Sequence, residues 1–292
     1  MQSALKTLVK KLPAANALHS KIVQRLTAGS LANNEILRGF IDENGWLFTQ
    51  PKTGTNLIAS AIAFYNAELL GLKDYTFDDR YRLGMVHGGH IIRGAEGIRD
   101  ALKFQKLSTR MLITRWHDDV PHARPSLLIC TTRNLLDQLS SLWHYKYRAL
   151  GISVDDSISD MLNIFVKRNR DQARAMQRAE RSLVVHYENL TADPKAELIR
   201  ILKAAYGAVD EEALATALRR SSRDEFKKWE QTRGAPAIGE KLKNFERSFI
   251  RSGKVGEGAE FFSDHQRSQI ETLAARGNVP MNGDITALPP SS

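Results

Sequence analysis

Gly45-Trp46-Leu47-Phe48-Thr49-Gln50-Pro51-Lys52-Thr53-Gly54-Thr55-Asn56, continuing as LIASAIAFYNAELLG through residue 71, is the stretch on which the fold turns. GWLFT (45–49) is a short, unbroken apolar run, the pattern of a buried strand. NLIASAIAFYNAELLG (56–71) is apolar and long enough for a helix closed by a C-cap glycine, Gly71. Between them lies a tight polar turn. A loop in that position offers the unpaired N–H groups of a helix start, and the positive end of its dipole, to an anion. Gly54 permits the turn and a close backbone approach, Lys52 adds a full charge, and Thr53, Thr55 and Asn56 are donors. The lysine precedes the glycine, so the pattern is not G-x-x-x-x-G-K-[ST] and argues against a nucleoside triphosphatase. A plain turn capping a helix would use similar residues.

Outward from this unit, MLITR (111–115), SLLICTT (126–132) and SLVVHY (182–187) read as further buried strands. Helices are expected over 133–150, 155–180, 194–206, 208–231 and 263–276, and a Gly-rich basic loop over 234–258. Strands alternating with helices predict an α/β fold, a central parallel sheet flanked by helices. The chain divides into an N-terminal helical segment (1–40), one α/β domain (41–276) and a polar C-terminal tail (277–292). Leu5, Leu8, Val9 and Leu12 share one face of the first segment beside Lys6, Lys10 and Lys11. That face fits either packing on the domain or weak association with an anionic membrane surface.

At 292 residues, with 42% hydrophobic and 26% charged side chains, the composition is that of an ordinary globular protein. No run of about 18 apolar residues offers a spanning helix. The N-terminus lacks a secretory signal, and one cysteine, Cys130, suits a reducing compartment; the expected location is cytoplasmic. Lys and Arg outnumber Asp and Glu 42 to 33, giving +9, which favours anionic partners. The charge is spread along the chain, and no nucleic-acid-binding module is recognisable, so no nucleic-acid partner is expected.

A second anion element follows the strand LLICTT: Arg133-Asn134-Leu135-Leu136-Asp137, with Ser141 eight residues after the arginine. An arginine at a strand end and a serine two turns along the next helix converge only on something held above that strand, and the guanidinium fork suits phosphate. With PKTGTN at 51–56, this pattern resembles the sulfotransferase superfamily. Its phosphosulfate loop reads P-K-[ST]-G-[ST]-[ST], and its 3′-phosphate element reads R-N-P-x-D with a following serine. SLVVHYENL (182–190) is similar to the strand ending R-Y-E-D-L, and FIRSGKVGEG (249–258) to F-x-R-K-G-x-x-G-D-W. The departures are Asn56, Leu57 for a tryptophan, Leu135 for proline, Ser252 for lysine, and Glu257-Gly258 for the aspartate–tryptophan pair.

The resemblance implies a P-loop-kinase-like sulfotransferase fold and a PAPS-dependent enzyme. Such an enzyme moves a sulfuryl group from 3′-phosphoadenosine 5′-phosphosulfate to an acceptor and releases 3′,5′-adenosine bisphosphate. It implies that Pro51, Lys52, Thr53, Gly54, Thr55 and Asn56 hold the 5′-phosphosulfate, with Lys52 also stabilising the leaving phosphate oxygen. Arg133, Ser141, Arg251, Ser252 and Gly253 would hold the 3′-phosphate, and Tyr187 would contact adenine.

In-line displacement at sulfur also needs a base for the acceptor hydroxyl. The family's T-H-x-P histidine corresponds to Thr114-Arg115-Trp116-His117 before Pro121, which nominates His117. His87 and His90 in MVHGGH, and Glu68 on the helix after the phosphate loop, are the alternatives. These histidines lack H-x-x-x-H or H-E-x-x-H spacing, so no metal is expected. A nucleotide kinase would need a magnesium-binding Ser/Thr after the lysine. A non-catalytic anion-binding protein is the other reading that the departures allow. The acceptor is a small molecule, sugar or lipid; Arg80, Arg82, Arg93 and Lys103 hint at a polar or anionic one. Sequence alone leaves the oligomeric state open.

Overall fold

The computed structural model describes residues 30–88, 103–104, 111–233 and 253–287. The N-terminal segment before Ser30, His90, Arg93, Arg251, Ser252 and most of the basic loop lie outside the described residues.

In chain order the elements are α1 (Ser30–Glu43), β1 (Gly45–Thr49), α2 (Thr55–Leu69), β2 (Met85–His87), β3 (Ile113–Trp116) and β4 (Leu127–Thr132). There follow α3 (Leu135–Leu142), α4 (Val154–Arg178), β5 (Ser182–His186), α5 (Tyr187–Ala192) and α6 (Pro194–Tyr206). The last are α7 (Glu211–Arg220), α8 (Arg223–Arg233), α9 (Glu257–Phe261) and α10 (Asp264–Arg276). Among the described residues the five strands form one sheet in the order β2-β3-β1-β4-β5, every neighbouring pair parallel. The expected α/β fold with a parallel central sheet is therefore what forms.

Side-chain alternation along β1 divides the core. Leu47 faces the layer with α2, α6 and α7, where it meets Ile58, Ile62, Leu198 and Leu214. Trp46 and Phe48 face the opposite layer with Ile36, Leu37 and Phe40 of α1 and Ala175 of α4. All three strand residues are fully buried, the signature of a central parallel strand covered by helices on both sides. A third cluster joins α3, α4 and α10 through Leu139, Met161, Phe165 and Ile270.

Some local structure departs from expectation. Met85–His87, in the MVHGGH stretch for which the sequence predicts no element, is the edge strand β2; three residues are too few to show a period. The helix expected over 133–150 is α-helical only to Leu142, then widens into a π turn (Trp143–Tyr147) and a 3-10 turn (Arg148–Leu150). The charged helix expected over 208–231 is two helices, parted at Ser221-Ser222. Tyr187, expected as the last strand residue, opens α5. Past α10 the chain turns back onto the domain: Val279 and Ile285 are buried, and the Met281 carbonyl accepts from the Leu135 N–H at 2.9 Å. Leu135 stands where the resembled motif has proline, which could make no such bond.

Because all strands run the same way, the segments after β1, β3, β4 and β5 gather along one sheet edge. β1 is flanked by β3 on one side and β4 on the other, so the strand order changes direction beside it. That crevice is where open parallel sheets hold ligands.

Trp46 stacks on Phe48 with ring centroids 4.5 Å apart, and its indole donates to the Trp116 carbonyl at 3.4 Å. Trp46→Ala is expected to destabilise the protein by about 3–5 kcal/mol, read from the midpoint of urea unfolding.

Candidate active site at the carboxyl edge of the sheet

The turn after β1 is held in an unusual backbone shape. Lys52 has φ 67° and Gly54 φ 81°, two left-handed residues within three positions. Lys52 bears this conformation with a side chain, a cost that must be supported from outside. The support is a buried amide network. Gln50 donates to Asn169 and, at 2.7 Å, to Gln172 Oε1, both on α4; it accepts from Gln138 Nε2 on α3 at 2.9 Å. Gln172 in turn donates to the Phe48 carbonyl at 2.7 Å. Thr53 completes the anchoring, its hydroxyl bonded to the Gln50 carbonyl at 2.8 Å and to Thr131 Oγ1 at 2.5 Å. The Thr53 side chain therefore fastens the loop to β4, and only its backbone N–H remains for an anion.

Gly54 is required on two counts. Its φ is left-handed, and a Cβ there would lie 3.0 Å from Leu190 Cδ2 and 3.1 Å from Tyr187 Cδ2. As the residue before α2 it offers no side-chain cap. By contrast, α3, α4, α6, α7 and α10 are each capped by Asn134, Ser153, Asp193, Asp210 and Ser263. The first-turn N–H groups of α2 are thus left for an external acceptor. Among the described residues the Thr55 hydroxyl and the Asn56 carboxamide meet no hydrogen-bond partner, so both remain available beside those amides. Lys52 Nζ lies 4.4 Å from the centre of the Tyr145 ring, on the π turn. Leu57, at the tryptophan position of the resembled motif, packs on the first core cluster.

Arg133, at the end of β4, is almost fully buried beside this loop. Its guanidinium donates to the Lys52 carbonyl at 3.3 Å and the Lys254 carbonyl at 2.8 Å, and pairs with Asp137 at 3.4 Å. It also lies 4.1 Å from the Tyr187 ring centre. The Arg133 Nε–H is buried with no partner among the described residues. Tyr187 is wedged between Arg133 and Gly54 and donates to the Gly253 carbonyl at 3.1 Å; burial raises its phenol pKa. Asp137 accepts from the Gly256 N–H at 2.9 Å and the Gly258 N–H at 2.7 Å, so it holds the segment around Gly253 against α3. A Cβ at Gly258 would come within 2.2 Å of the Leu136 carbonyl carbon. The side chain usual at that position therefore has no room. Ser141, two turns along α3, is half-buried with its hydroxyl unpartnered among the described residues.

His117 lies just past β3. Its Nδ1 is 3.1 Å from the Thr49 carbonyl and 2.8 Å from Thr49 Oγ1, and its Nε2 is 2.7 Å from Arg115 Nη2. A guanidinium only donates, so Nε2 accepts and the proton sits on Nδ1, an assignment fixed by the network. Burial, reinforced by the Arg115 charge, pushes the His117 pKa down to about 4. Arg168 from α4 donates to the His117 carbonyl and pairs with Asp118 at 2.8 Å. Arg115, which sequence reasoning passed over, also donates to the Tyr81 hydroxyl at 2.8 Å, and burial lowers its own pKa. His87 packs edge-on to Tyr81, ring centres 5.1 Å apart. Glu68 is at the far end of α2, ~20 Å along the helix from Thr55 at 1.5 Å per residue. There Tyr75 donates to it and Arg220 sits 3.9 Å away, so the geometry separates it from the phosphate loop.

The edge thus combines an uncapped helix start with a lysine, a buried arginine 81 residues later in the chain, and a neutral imidazole on the opposite flank. The family model for the sulfotransferase domain matches residues 42–276. The chain belongs to the sulfotransferase family.

Solved sulfotransferase structures share its fold at low identity. Mouse sulfotransferase SULT7A1 complexed with PAP is 17% identical, with TM-score 0.51 over 83% of this chain and 89% of that one. Retinol dehydratase in complex with androsterone and inactive cofactor PAP is 15% identical, with TM-score 0.51 over 81% and 80%. Retinol dehydratase in complex with retinol and PAP is 15% identical, with TM-score 0.52 over 81% of each chain. No curated protein matches the chain. Among the described residues no cluster of His, Cys, Asp and Glu could hold a metal ion, and no helix is long and apolar enough to cross a membrane.

The depressed His117 pKa carries a pH signature. The unfolded chain binds the proton at the ordinary 6.5 and the folded one near 4. The stability His117 contributes is therefore complete above about pH 6.5 and lost as the pH falls to 4. Imidazole NMR titration is expected to place His117 near pH 4, and Arg115→Met to raise it part of the way, since burial remains. A wild-type value of 6.5 would contradict the burial argument.

Proposed function

We propose that this sulfotransferase-family protein moves a sulfuryl group from 3′-phosphoadenosine 5′-phosphosulfate to a hydroxyl or amine of a small-molecule, sugar or lipid acceptor by in-line displacement. The observation that carries the reading is the uncapped, left-handed loop at the start of α2, set between Lys52 and the buried Arg133. The donor set fits the nucleotide. Free N–H groups, the Thr55 hydroxyl and the Asn56 carboxamide suit a 5′-phosphosulfate, with Pro51, Thr53 and Gly54 shaping the cradle. The orphaned Arg133 Nε–H and the unpartnered Ser141 hydroxyl suit a 3′-phosphate. Gly253, held beside Arg133 by Tyr187 and Asp137, closes that side; Arg251 and Ser252 would extend it. Tyr187 would lie against adenine.

When bound, the donor supplies an activated sulfuryl group and departs as 3′,5′-adenosine bisphosphate. Lys52, with the dipole of α2, stabilises the charge that develops on the departing phosphate oxygen. His117 takes the proton of the acceptor through Nε2, its Nδ1–H held by Thr49 in the orientation this requires. A neutral imidazole has that lone pair to use, provided Arg115 releases it. The retinol and androsterone held by retinol dehydratase support a small-molecule acceptor.

The test is turnover of 3′-phosphoadenosine 5′-phosphosulfate with a panel of hydroxyl acceptors, followed as released 3′,5′-adenosine bisphosphate. Lys52→Ala is expected to lower kcat at least ~100-fold, the scale of losing one transition-state donor. A Lys52→Ala protein of near-normal kcat would overturn the reading.

A further inference from the structure

The flank of the sheet formed by β3 and β2 holds an unbalanced group of buried donors. Arg115 Nε, Arg80 Nε and Trp229 Nε1 are all buried with no hydrogen-bond partner among the described residues. They belong to one neighbourhood, joined through Tyr81. Arg115 donates to the Tyr81 hydroxyl at 2.8 Å, the Arg80 guanidinium lies 5.0 Å from the Tyr81 ring, and it lies 5.4 Å from the Trp229 ring. Arg80 is close enough to Arg115 for their charges to repel. Among the described residues their hydrogen bonds go to neutral acceptors: Arg80 to the Phe77 carbonyl at 2.6 Å, Arg115 to Tyr81 and His117 Nε2. Neither guanidinium is ion-paired with a carboxylate among the described residues. Two half-buried cations side by side without a counter-ion are costly unless something negative joins them.

We propose that Arg115 and Arg80, with the Trp229 N–H, form an oxyanion subsite, so that the acceptor is a hydroxyl compound carrying a carboxylate, sulfate or phosphate close to the reacting oxygen. The site itself stands on the geometry above; that its occupant is the sulfuryl acceptor rests on the function proposed for the chain. Arg115 couples the subsite to the chemistry. Its Nη2 now donates to His117 Nε2, the lone pair the base must use. An oxyanion is a stronger partner for a guanidinium than a neutral imidazole. As it seats, Arg115 turns to it and His117 Nε2 becomes free for the acceptor proton. That proton then passes to Nε2, the acceptor oxygen bonds to sulfur, and the electron pair of the broken sulfur–oxygen bond stays on the phosphate oxygen beside Lys52. A neutral alcohol leaves Arg115 on the imidazole and the base occupied.

The experiment uses full-length protein saturated with 3′,5′-adenosine bisphosphate, titrated with 3-hydroxybenzoate and with 3-hydroxybenzamide. The imidazole 15N signals of His117 are followed at the same time. The acid is expected to bind about tenfold tighter or better than the amide, the scale of a charged hydrogen bond, and to shift the His117 Nε2 signal. Arg115→Gln should erase both effects, and Arg80→Gln should reduce the preference, while nucleotide affinity stays unchanged in each. Equal binding of acid and amide, no binding of either, or a preference that survives Arg115→Gln overturns the subsite. Should Arg115→Gln fail to fold, Arg80→Gln decides, an undiminished preference overturning the proposal. If the nucleotide does not bind wild-type protein, the donor reading falls. The acid–amide difference, measured without nucleotide, still tests the subsite.

Discussion

Four buried amides, Gln50, Gln138, Asn169 and Gln172, hold the loop between β1 and α2 to the frame of the molecule, and the rest of the site depends on that hold. Gln50 belongs to the loop, Gln138 to α3, and Asn169 and Gln172 to α4. The network ties the strained turn at Lys52 to two helices that also enclose the third core cluster. A left-handed lysine is costly alone, and a buried amide is costly unless paired; here each requirement meets the other. With the turn fixed, the uncapped amides of α2 point at one place, and Thr53 can fasten the loop to β4 rather than bind a ligand. Arg133 then bridges the Lys52 and Lys254 carbonyls, so both segments are braced by the same guanidinium.

The arrangement of charge follows the strand order. β4 and β5, on one side of β1, run into Arg133 and Tyr187; on the other side β3 and β2 carry Arg115 and His87, with His117 just past β3. Lys52 stands between them. The first side has a counter-charge in Asp137, which also pins Gly256 and Gly258, so its arginine is held ready in a balanced setting. On the second side the guanidinium groups of Arg80 and Arg115 donate to neutral acceptors among the described residues. One flank is thus braced and charge-balanced, while the other carries guanidinium groups without a carboxylate partner among the described residues, the asymmetry on which the proposed oxyanion subsite rests.

Much of this was legible in the sequence, for physical reasons. β1 and β4 are continuous apolar runs because both faces of a central parallel strand are covered, and the turn between β1 and α2 is short enough that its chemistry is local. The Arg133–Ser141 spacing placed a second element beside the first, and the strand–helix alternation gave the sheet. What escaped was non-local or too short. β2 has three residues and no period, and the π turn carrying Tyr145 departs from a helix that its sequence supports. The amide network pairs Gln50 with residues 88 to 122 positions away, which no local pattern reveals. Arg115 was hidden by its position in a strand. The alternation of side chains could have flagged it, since it lies on the same face as Ile113 and is the charged member of that face. The departures from the family pattern also found local causes: Leu135 donates a bond proline lacks, and Gly258 sits where the α3 backbone leaves no space for a side chain.

The proposed function stands or falls on whether the crevice beside β1 receives a nucleotide bearing both a 5′- and a 3′-phosphate, with Arg133 reading the latter. Isothermal titration of the protein, free of magnesium, with 3′,5′-adenosine bisphosphate, 5′-AMP and ATP measures this directly. Tight binding of the bisphosphate is expected, with at least ~10-fold weaker binding of 5′-AMP, the worth of a charged hydrogen bond to the missing phosphate. Arg133→Ala is expected to close most of that gap. Equal affinity for the bisphosphate and 5′-AMP, or a preference for ATP that requires magnesium, would contradict the proposed function.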